Sequence, residues 1–439
     1  MDLPNTDPDR TEFEEEPLGK SASFPTSHGY ARIAIGDRFG PGATKFEVIA
    51  KLGWGYESTS WLVYKSAVPP EEPYALKVLK AATTRRALDP DVRRPYHEEA
   101  IMRHISRATS HNGAQHCIKL VDAFIQERED TGSHLCLLEE LGGCTLEHLQ
   151  VIQRGLDVPL VKQIAKQILS ALDYLHHLNV SNVLVTYPFD ILQQLCVGRV
   201  KKGTEYYPLK LVEGRMEKVI QSWPLPHVLN YPRYRCTVSL CDFGSAQKID
   251  KAVGGNIQPV NMRAPEVFLG VPAWDEKVYE MLTGSCLIDV DDDDDDRPSN
   301  GLYVDYLLRQ LELHGLTAFP SVLNLTQCLN PDGMLRNVPL ETFRHTSIRD
   351  LLNKSRVADP DNGESPCDLN KMTEADRDDA AAFLARCLEL DSRERASAGE
   401  LLGHRWLSDT AMNEDESEED VEETHEVRGR RNGKTRVEC

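Results

Sequence analysis

Apolar positions alternate through the first third of the chain and then recur at helical spacing. Phe46-Glu47-Val48-Ile49-Ala50-Lys51-Leu52 predicts a strand, and Trp61-Leu62-Val63-Tyr64 a second one. Between them stand Gly53-Trp54-Gly55, two glycines that permit a tight hairpin whose amides can approach phosphates. Taken alone, that pair describes an ordinary turn equally well. Tyr74-Ala75-Leu76-Lys77-Val78-Leu79 is a third strand, apolar except for one lysine. A cation in such a run is costly unless paired, so Lys77 calls for a phosphate, a carboxylate, or both. The next periodic segment, Tyr96 to Ile105, is helical, with Ile101, Met102 and Ile105 on one face. Glu98 lies one turn before Ile101 on that face and is the expected partner of Lys77; Glu99 faces solvent.

Further along, Ile118–Phe124 and Leu135–Leu138 read as strands, the second running into Glu139-Glu140-Leu141-Gly142-Gly143. Pro159 to His176 is the clearest helix, with Val161, Ile164, Ala165, Ile168, Leu169, Leu172 and Leu175 as its core stripe. Leu302 to Leu313 predicts a helix stopped at Gly315. Thr373 to Asp376 gives a capping-box-like start to another, whose stripe is Phe383, Leu384, Cys387 and Leu388. Gly29 to Asp37 marks where order begins. Residues 1 to 28 and everything from Asp409, acidic and then basic, read as disordered tails. Arg428-Gly429-Arg430-Arg431 in that tail reads as solvated or, less simply, as a nuclear address.

Composition narrows the classes. The 439 residues are 40% hydrophobic and 27% charged, ordinary for a globular chain with a core. A formal charge of −20 argues against general nucleic-acid binding and suits basic peptide partners. Eleven scattered cysteines without a Cys-x-x-Cys pair suggest reduced thiols inside the cell. No apolar run long enough to span a bilayer and no signal-peptide core are present, so no membrane association is expected.

The chemistry concentrates in Thr237 to Gly270. An apolar strand ends in Asp242-Phe243-Gly244, and Ala264-Pro265-Glu266 follows at activation-segment distance. A carboxylate at the end of a rigid strand can hold Mg²⁺ against phosphates, and the glycine lets the chain turn away. Other ordered landmarks are Leu52-Gly53-Trp54-Gly55 with Ser58-Thr59, Ala75-Leu76-Lys77-Val78, Leu172-Asp173-Tyr174-Leu175-His176 and Ser181-Asn182-Val183-Leu184-Val185. Ile257-Gln258-Pro259-Val260, Arg263 through Val267, Leu388 to Asp391, Arg395 to Ala398 and His404 to Leu407 complete them.

On these motifs, from about residue 29 to 408, the chain resembles the eukaryotic protein kinases and, within them, the SR-protein kinases, its fungal members most. The resemblance implies an α+β, two-lobed fold: a small β-rich lobe over 29–141 and a mostly helical lobe over 142–408. It implies ATP and Mg²⁺ as cofactors and transfer of the γ-phosphate to serine or threonine in Arg/Ser-rich splicing proteins. It further implies a monomer in cytoplasm and nucleus, with no direct nucleic-acid contact. Carried over by position, Lys77 holds the α- and β-phosphates and pairs with Glu98. Asp242 and Asn182 hold metal, and Gly53, Trp54 and Gly55 cover the triphosphate. Leu52, Ser60, Ala75, Leu138, Glu139 and Leu141 line the base site, with Leu138 gating it and 139–141 as the hinge. Ser60 stands where the family has valine. Glu266 and Arg395 form a structural ion pair.

Two departures stand out. The family's catalytic loop carries an aspartate five positions before the metal-binding asparagine, yet that position is His177. No aspartate occurs between Asp173 and Asn182. A second gap falls between Val278 and Tyr279, where the family starts the helix that anchors the loop. A pseudokinase, a faulty gene model and an unusual splice form all fit. Residues 186–235 read as a surface excursion between the loop and the Asp-Phe-Gly strand. Asp289 to Asp296, seven aspartates around Val290, read as a solvated loop or as a dock for arginine-rich substrate.

Overall fold

The computed structural model describes residues 29–65, 72–89, 98–107, 110–153, 156–175, 182–207, 210–212, 215–217, 219–228, 231–246, 301–319, 329–336, 338–339, 343–354, 372–391 and 393–408. They fall into two compact units. One takes its residues from Met1–Thr145, Asn182–His227 and Ser239–Gln247, the other from Leu146–Ser181, Val228–Val238 and Lys248–Cys439.

The first unit is built on a six-stranded antiparallel sheet: β1 (Arg38–Phe39), β2 (Phe46–Trp54), β3 (Ser58–Lys65), β4 (Pro73–Leu79), β5 (Leu120–Arg128) and β6 (Gly132–Glu140), in the order β1-β2-β3-β4-β6-β5. Register settles which side chains share a face. Lys77 lies opposite Ser60 on β3 and Leu137 on β6, and Ala75 lies opposite Leu62 and Glu139. Because side chains alternate, these residues occupy one face. Leu76, Val78, Cys136 and Leu138 occupy the other, in a cluster with Phe39, Phe46, Val48, Trp61 and Val63. Helix α1 (Ala81–Leu88) follows β4, and α2 (Glu98–Arg107) buries Glu98, Ile101, Met102 and Ile105, the face expected from the sequence.

Residues 186–235 were expected as a surface excursion, yet several of the described ones pack into the first unit's core. Pro188 precedes helix α5, which the order of elements places after α3 (Leu146–Gln153), α4 (Val158–Leu175) and strand β7 (Asn182–Thr186). Helix α5 covers Phe189–Lys202 and ends at Gly203, whose φ of +81° suits a residue without Cβ. Its Leu192, Leu195 and Cys196 pack with Ala50, Leu52, Leu62, Tyr64, Ala75 and Leu141. A short hairpin, β8 (Lys210–Val212) and β9 (Arg215–Glu217), follows. Ile220 then joins the outer cluster, Leu225 joins the inner one, and Trp223 N donates to Lys51 O at 3.0 Å. The sequence signal missed this because α5 buries only a three-residue apolar stripe. Phe189, Val197 and Val200 on its other side stay exposed.

The second unit centres on α4, the predicted core helix. Asp157 accepts from Leu160 N at its start, and Lys162 pairs with Asp376 at 2.9 Å. Among the described residues it also holds helices α6 (Gly301–His314), α7 (Ile348–Lys354), α8 (Glu374–Cys387) and α9 (Ala398–Leu402). Thr373 caps α8 by accepting from Asp376 N, and Ser397 and Glu400 form a reciprocal capping box on α9. Phe383 stacks on the buried Trp406 with ring centroids 4.9 Å apart. Gly315, at φ +63°, ends α6 where the sequence placed the stop. Among the described residues no helix is long and apolar enough to cross a membrane.

Strand β6 itself carries a fully buried histidine. His134 Nδ1–H donates to Leu79 O at 2.8 Å, and Nε2 lies 2.9 Å from the Thr131 hydroxyl. Burial lowers its pKa from the ordinary 6.5, and Arg128 adds to this against the Leu79 bond and the carboxylates of Asp130 and Glu127. Below pH 6.5 the unfolded chain therefore takes up a proton that the folded unit resists, and stability falls as pH drops through that window. Chemical unfolding followed from pH 8 to pH 5 should show this loss, and His134→Gln should flatten it. An unchanged profile in the variant would remove His134 from the account.

Candidate active site

Lys77 is mid-strand in β4 and almost fully buried, as an apolar strand flanked by two others requires. Its ammonium meets Glu98 Oε1 at 2.6 Å and Asp242 Oδ1 at 2.7 Å. Glu98 is 0% exposed, whereas the Asp242 side chain is 46% exposed. The cation thus joins a strand, a helix and the end of β10 (Thr237–Cys241), the strand that pairs with β7. The sequence expectation of a carboxylate for Lys77 holds twice over.

Asp242 is set by two constraints. Phe243, fully buried, begins a turn that packs against α2, and Leu240 O accepts from Ile118 N at 2.9 Å. Between them Asp242 has φ 57° and ψ 71°, the one positive-φ non-glycine among the described residues. Asp tolerates the left-handed region better than most residues, and strain held there points to a function for the side chain. One carboxylate oxygen meets Lys77, and the side chain is half-exposed.

Glu139 is the fourth charge. It faces the same side as Lys77 across from Ala75, and burial raises its pKa. Lys77 counteracts the rise, while the negative charges of Glu98 and Asp242 reinforce it. The sequence placed Glu139 in the hinge for its backbone. Strand β6 continues through Glu140, whose N–H donates to Lys119 O at 3.0 Å. The gating assignment of Leu138 also needs correction. Leu138 pairs with Leu76 and packs into the opposite face, and Leu137 shares the face of Lys77. A one-residue difference in register decides this, and no periodicity within a continuous apolar run reveals it.

The glycine hairpin joins β2 to β3, with Gly55 N donating to Ser58 O at 2.9 Å. A Cβ built on Gly53 or Gly55 would meet no protein atom within 4 Å, and neither residue has a left-handed φ. Neither packing nor backbone geometry therefore requires glycine at these two positions, and both amides have room beside them. Tyr30, which the sequence reading passed over, holds this hairpin. Its hydroxyl lies 2.9 Å from Gly55 O and 3.1 Å from Tyr56 O, and burial with nearby Glu57 and Tyr56 raises its pKa to about 12. Lys80 Nζ sits 4.4 Å above the Tyr30 ring and 4.3 Å above that of Tyr56. Trp54 is exposed at the hairpin tip, and Leu52, Ser60 and Ala75 are partly buried below it.

The remaining expected residues are placed less completely. Asn182 opens β7 beside β10, its side chain outside the described residues. Glu266 lies outside them, as do the segment around His177 and the aspartate run; Arg395 Nε donates to Glu389 O at 2.8 Å. Among the described residues no three His, Cys, Asp or Glu side chains cluster for metal. Such a cluster is not needed where one or two carboxylates and phosphate oxygens share Mg²⁺.

No protein-family model matches the chain. Protein kinase dsk1 of Schizosaccharomyces pombe is 37% identical over 180 residues, covering 38% of this chain and 31% of that protein. The chain thus aligns with about a third of dsk1. Serine/threonine-protein kinase SRPK of Physarum polycephalum is 24% identical over 428 residues, covering 87% and 89%. SRSF protein kinase 3 of Mus musculus is 34% identical over 153 residues, covering 34% and 25%. A crystal structure of a kinase domain superposes with a TM-score of 0.52 at 18% identity, covering 86% of this chain and 99% of that one. In fold the chain is similar to a kinase domain, and in sequence it is similar to kinases of the SR-protein kinase type. The resemblance read from the motifs, and the two-lobed α+β fold it implied, agree with this. Kinases of this fold use ATP and a divalent metal in general, which suits the residues gathered around Lys77.

The ion cluster predicts an asymmetry. Lys77→Met removes the cation from a fully buried Glu98 carboxylate and should cost about 3–5 kcal/mol of unfolding free energy. Glu98→Gln leaves Lys77 its second partner and should cost less, about 1–3 kcal/mol. Equal losses in denaturant titration would mean that Asp242 contributes nothing to holding the lysine.

Proposed function

We propose that this SR-type kinase binds Mg·ATP at the Lys77 cluster and engages Arg/Ser-rich peptides, while phosphoryl transfer by the chain as written is lost. The observation that carries the first half is Lys77 between Glu98 and Asp242. A buried ammonium with one fixed and one solvent-accessible acid can exchange the latter for phosphate oxygens. Asp242 and Asn182 would then hold the metal, which supplies charge neutralisation at the phosphates. The open glycine hairpin supports the same reading.

The second half rests on chemistry that the chain lacks. The substrate hydroxyl must give up its proton, and no aspartate stands between Asp173 and Asn182 to receive it. Loss of a positioned base alone reduces rates ~10²–10⁴-fold. Removing the surrounding loop also takes away positioning. The peptide preference rests on kinship and on a formal charge of −20, which favours cationic partners.

Thermal unfolding with and without Mg·ATP tests the binding half: the wild-type chain should be stabilised by several degrees and Asp242→Asn should not. Radiolabel transfer to an Arg-Ser peptide should be undetectable. Robust transfer abolished by Asp242→Asn would overturn the loss of activity, and absence of any nucleotide shift would overturn the binding site.

A further inference from the structure

The Lys77 face of the sheet is covered unevenly. At one end stand the ion cluster and the glycine hairpin. At the other, α5 lies across Ala50, Leu62, Tyr64 and Leu141, with Leu192, Leu195 and Cys196 inward and Tyr64 hydrogen-bonded to the Cys196 thiol. Leu62 and Cys196 are fully buried there. Leu52 and Ala75 touch the edge of the α5 cluster yet, like Ser60, keep partial exposure, though Lys77 and Leu137 beside them are closed. Ala75 and Lys77 are two residues apart on one strand, about 7 Å. That spacing leaves a narrow apolar strip bounded by phosphate-seeking groups on one side and a helix on the other.

We propose that α5 is the outer wall of the base-binding strip, with Leu192 and Leu195 as binding residues that the kinase motifs do not contain. This rests on the nucleotide reading above and adds a wall supplied by the segment between β7 and β10. A planar base on Leu52 and Ala75 extends the apolar surface that α5 rests on, so nucleotide and α5 dock cooperatively. The opposite relation, in which α5 occupies the strip itself and competes with nucleotide, would have closed Leu52 and Ala75 as it closes Leu62.

Binding of a fluorescent ATP analogue and of inorganic tripolyphosphate to the full-length chain, each with Mg²⁺, tests this. Leu195→Asp should weaken the ATP analogue at least about tenfold while leaving tripolyphosphate unchanged. Val197→Asp, on the exposed side of α5, should change neither. If Leu195→Asp fails to fold, Leu192→Ala with Leu195→Ala is read in its place. Hydrogen exchange of residues 189–202 in the wild-type chain should slow when Mg·ATP is added. Unchanged or tighter ATP binding by the Leu195 variant, or faster or unchanged exchange in the wild-type chain, would refute the wall. Failure of the wild-type chain to bind either ligand would instead refute the nucleotide reading itself.

Discussion

A buried lysine ammonium organises the first unit. Lys77 could not sit in an apolar strand without acids, and the acids it uses arrive from elements far apart in sequence. Glu98 fixes the rotation of α2 against the sheet, and Asp242 fixes where β10 ends. The left-handed backbone of Asp242 and the buried Phe243 beside it are the local accommodation to that demand. Burial raises the pKa of Glu139 beside this cluster, Lys77 counteracts the rise, and the charges of Glu98 and Asp242 reinforce it.

A separate set of contacts surrounds this cluster without sharing its charges. Tyr30 and Lys80 hold the glycine hairpin from outside, and α5 covers the far end of the same face. The hairpin, the cluster and the helix thus lie in sequence along one sheet face. On the proposed reading these elements would bind nucleotide together, although the sequence carries no aspartate between Asp173 and Asn182 to accept the proton. A protein can lose the transfer step and keep the recognition surface because the two depend on different residues.

Much of this was legible in the sequence, and the limits have physical causes. Lys77 and Glu98 were readable as a pair because a lone charge in an apolar strand and an acid on an apolar helix face each lack a cheaper explanation. Asp242 was readable from a motif. Leu137 was not distinguishable from Leu138, since both lie in an apolar run whose facing is set only by pairing with β4. The docking of α5 was hidden for a related reason: three inward residues in a mixed helix carry little periodic signal, and most of their partners lie on β2, β3 and β4, far earlier in the sequence. Tyr30 escaped notice because its role is a hydroxyl reaching two carbonyls across the chain, which no local pattern encodes.

The central claim is that the Lys77–Asp242 pair opens to a nucleotide. A crystal structure of the chain grown with Mg²⁺ and a non-hydrolysable ATP analogue tests it most directly. The account predicts phosphate oxygens within hydrogen-bond distance of Lys77 Nζ, Glu98 still on the same nitrogen, and the Asp242 carboxylate turned to the metal. Nucleotide bound elsewhere, or Lys77 still closed on Asp242 with the analogue present, would contradict it.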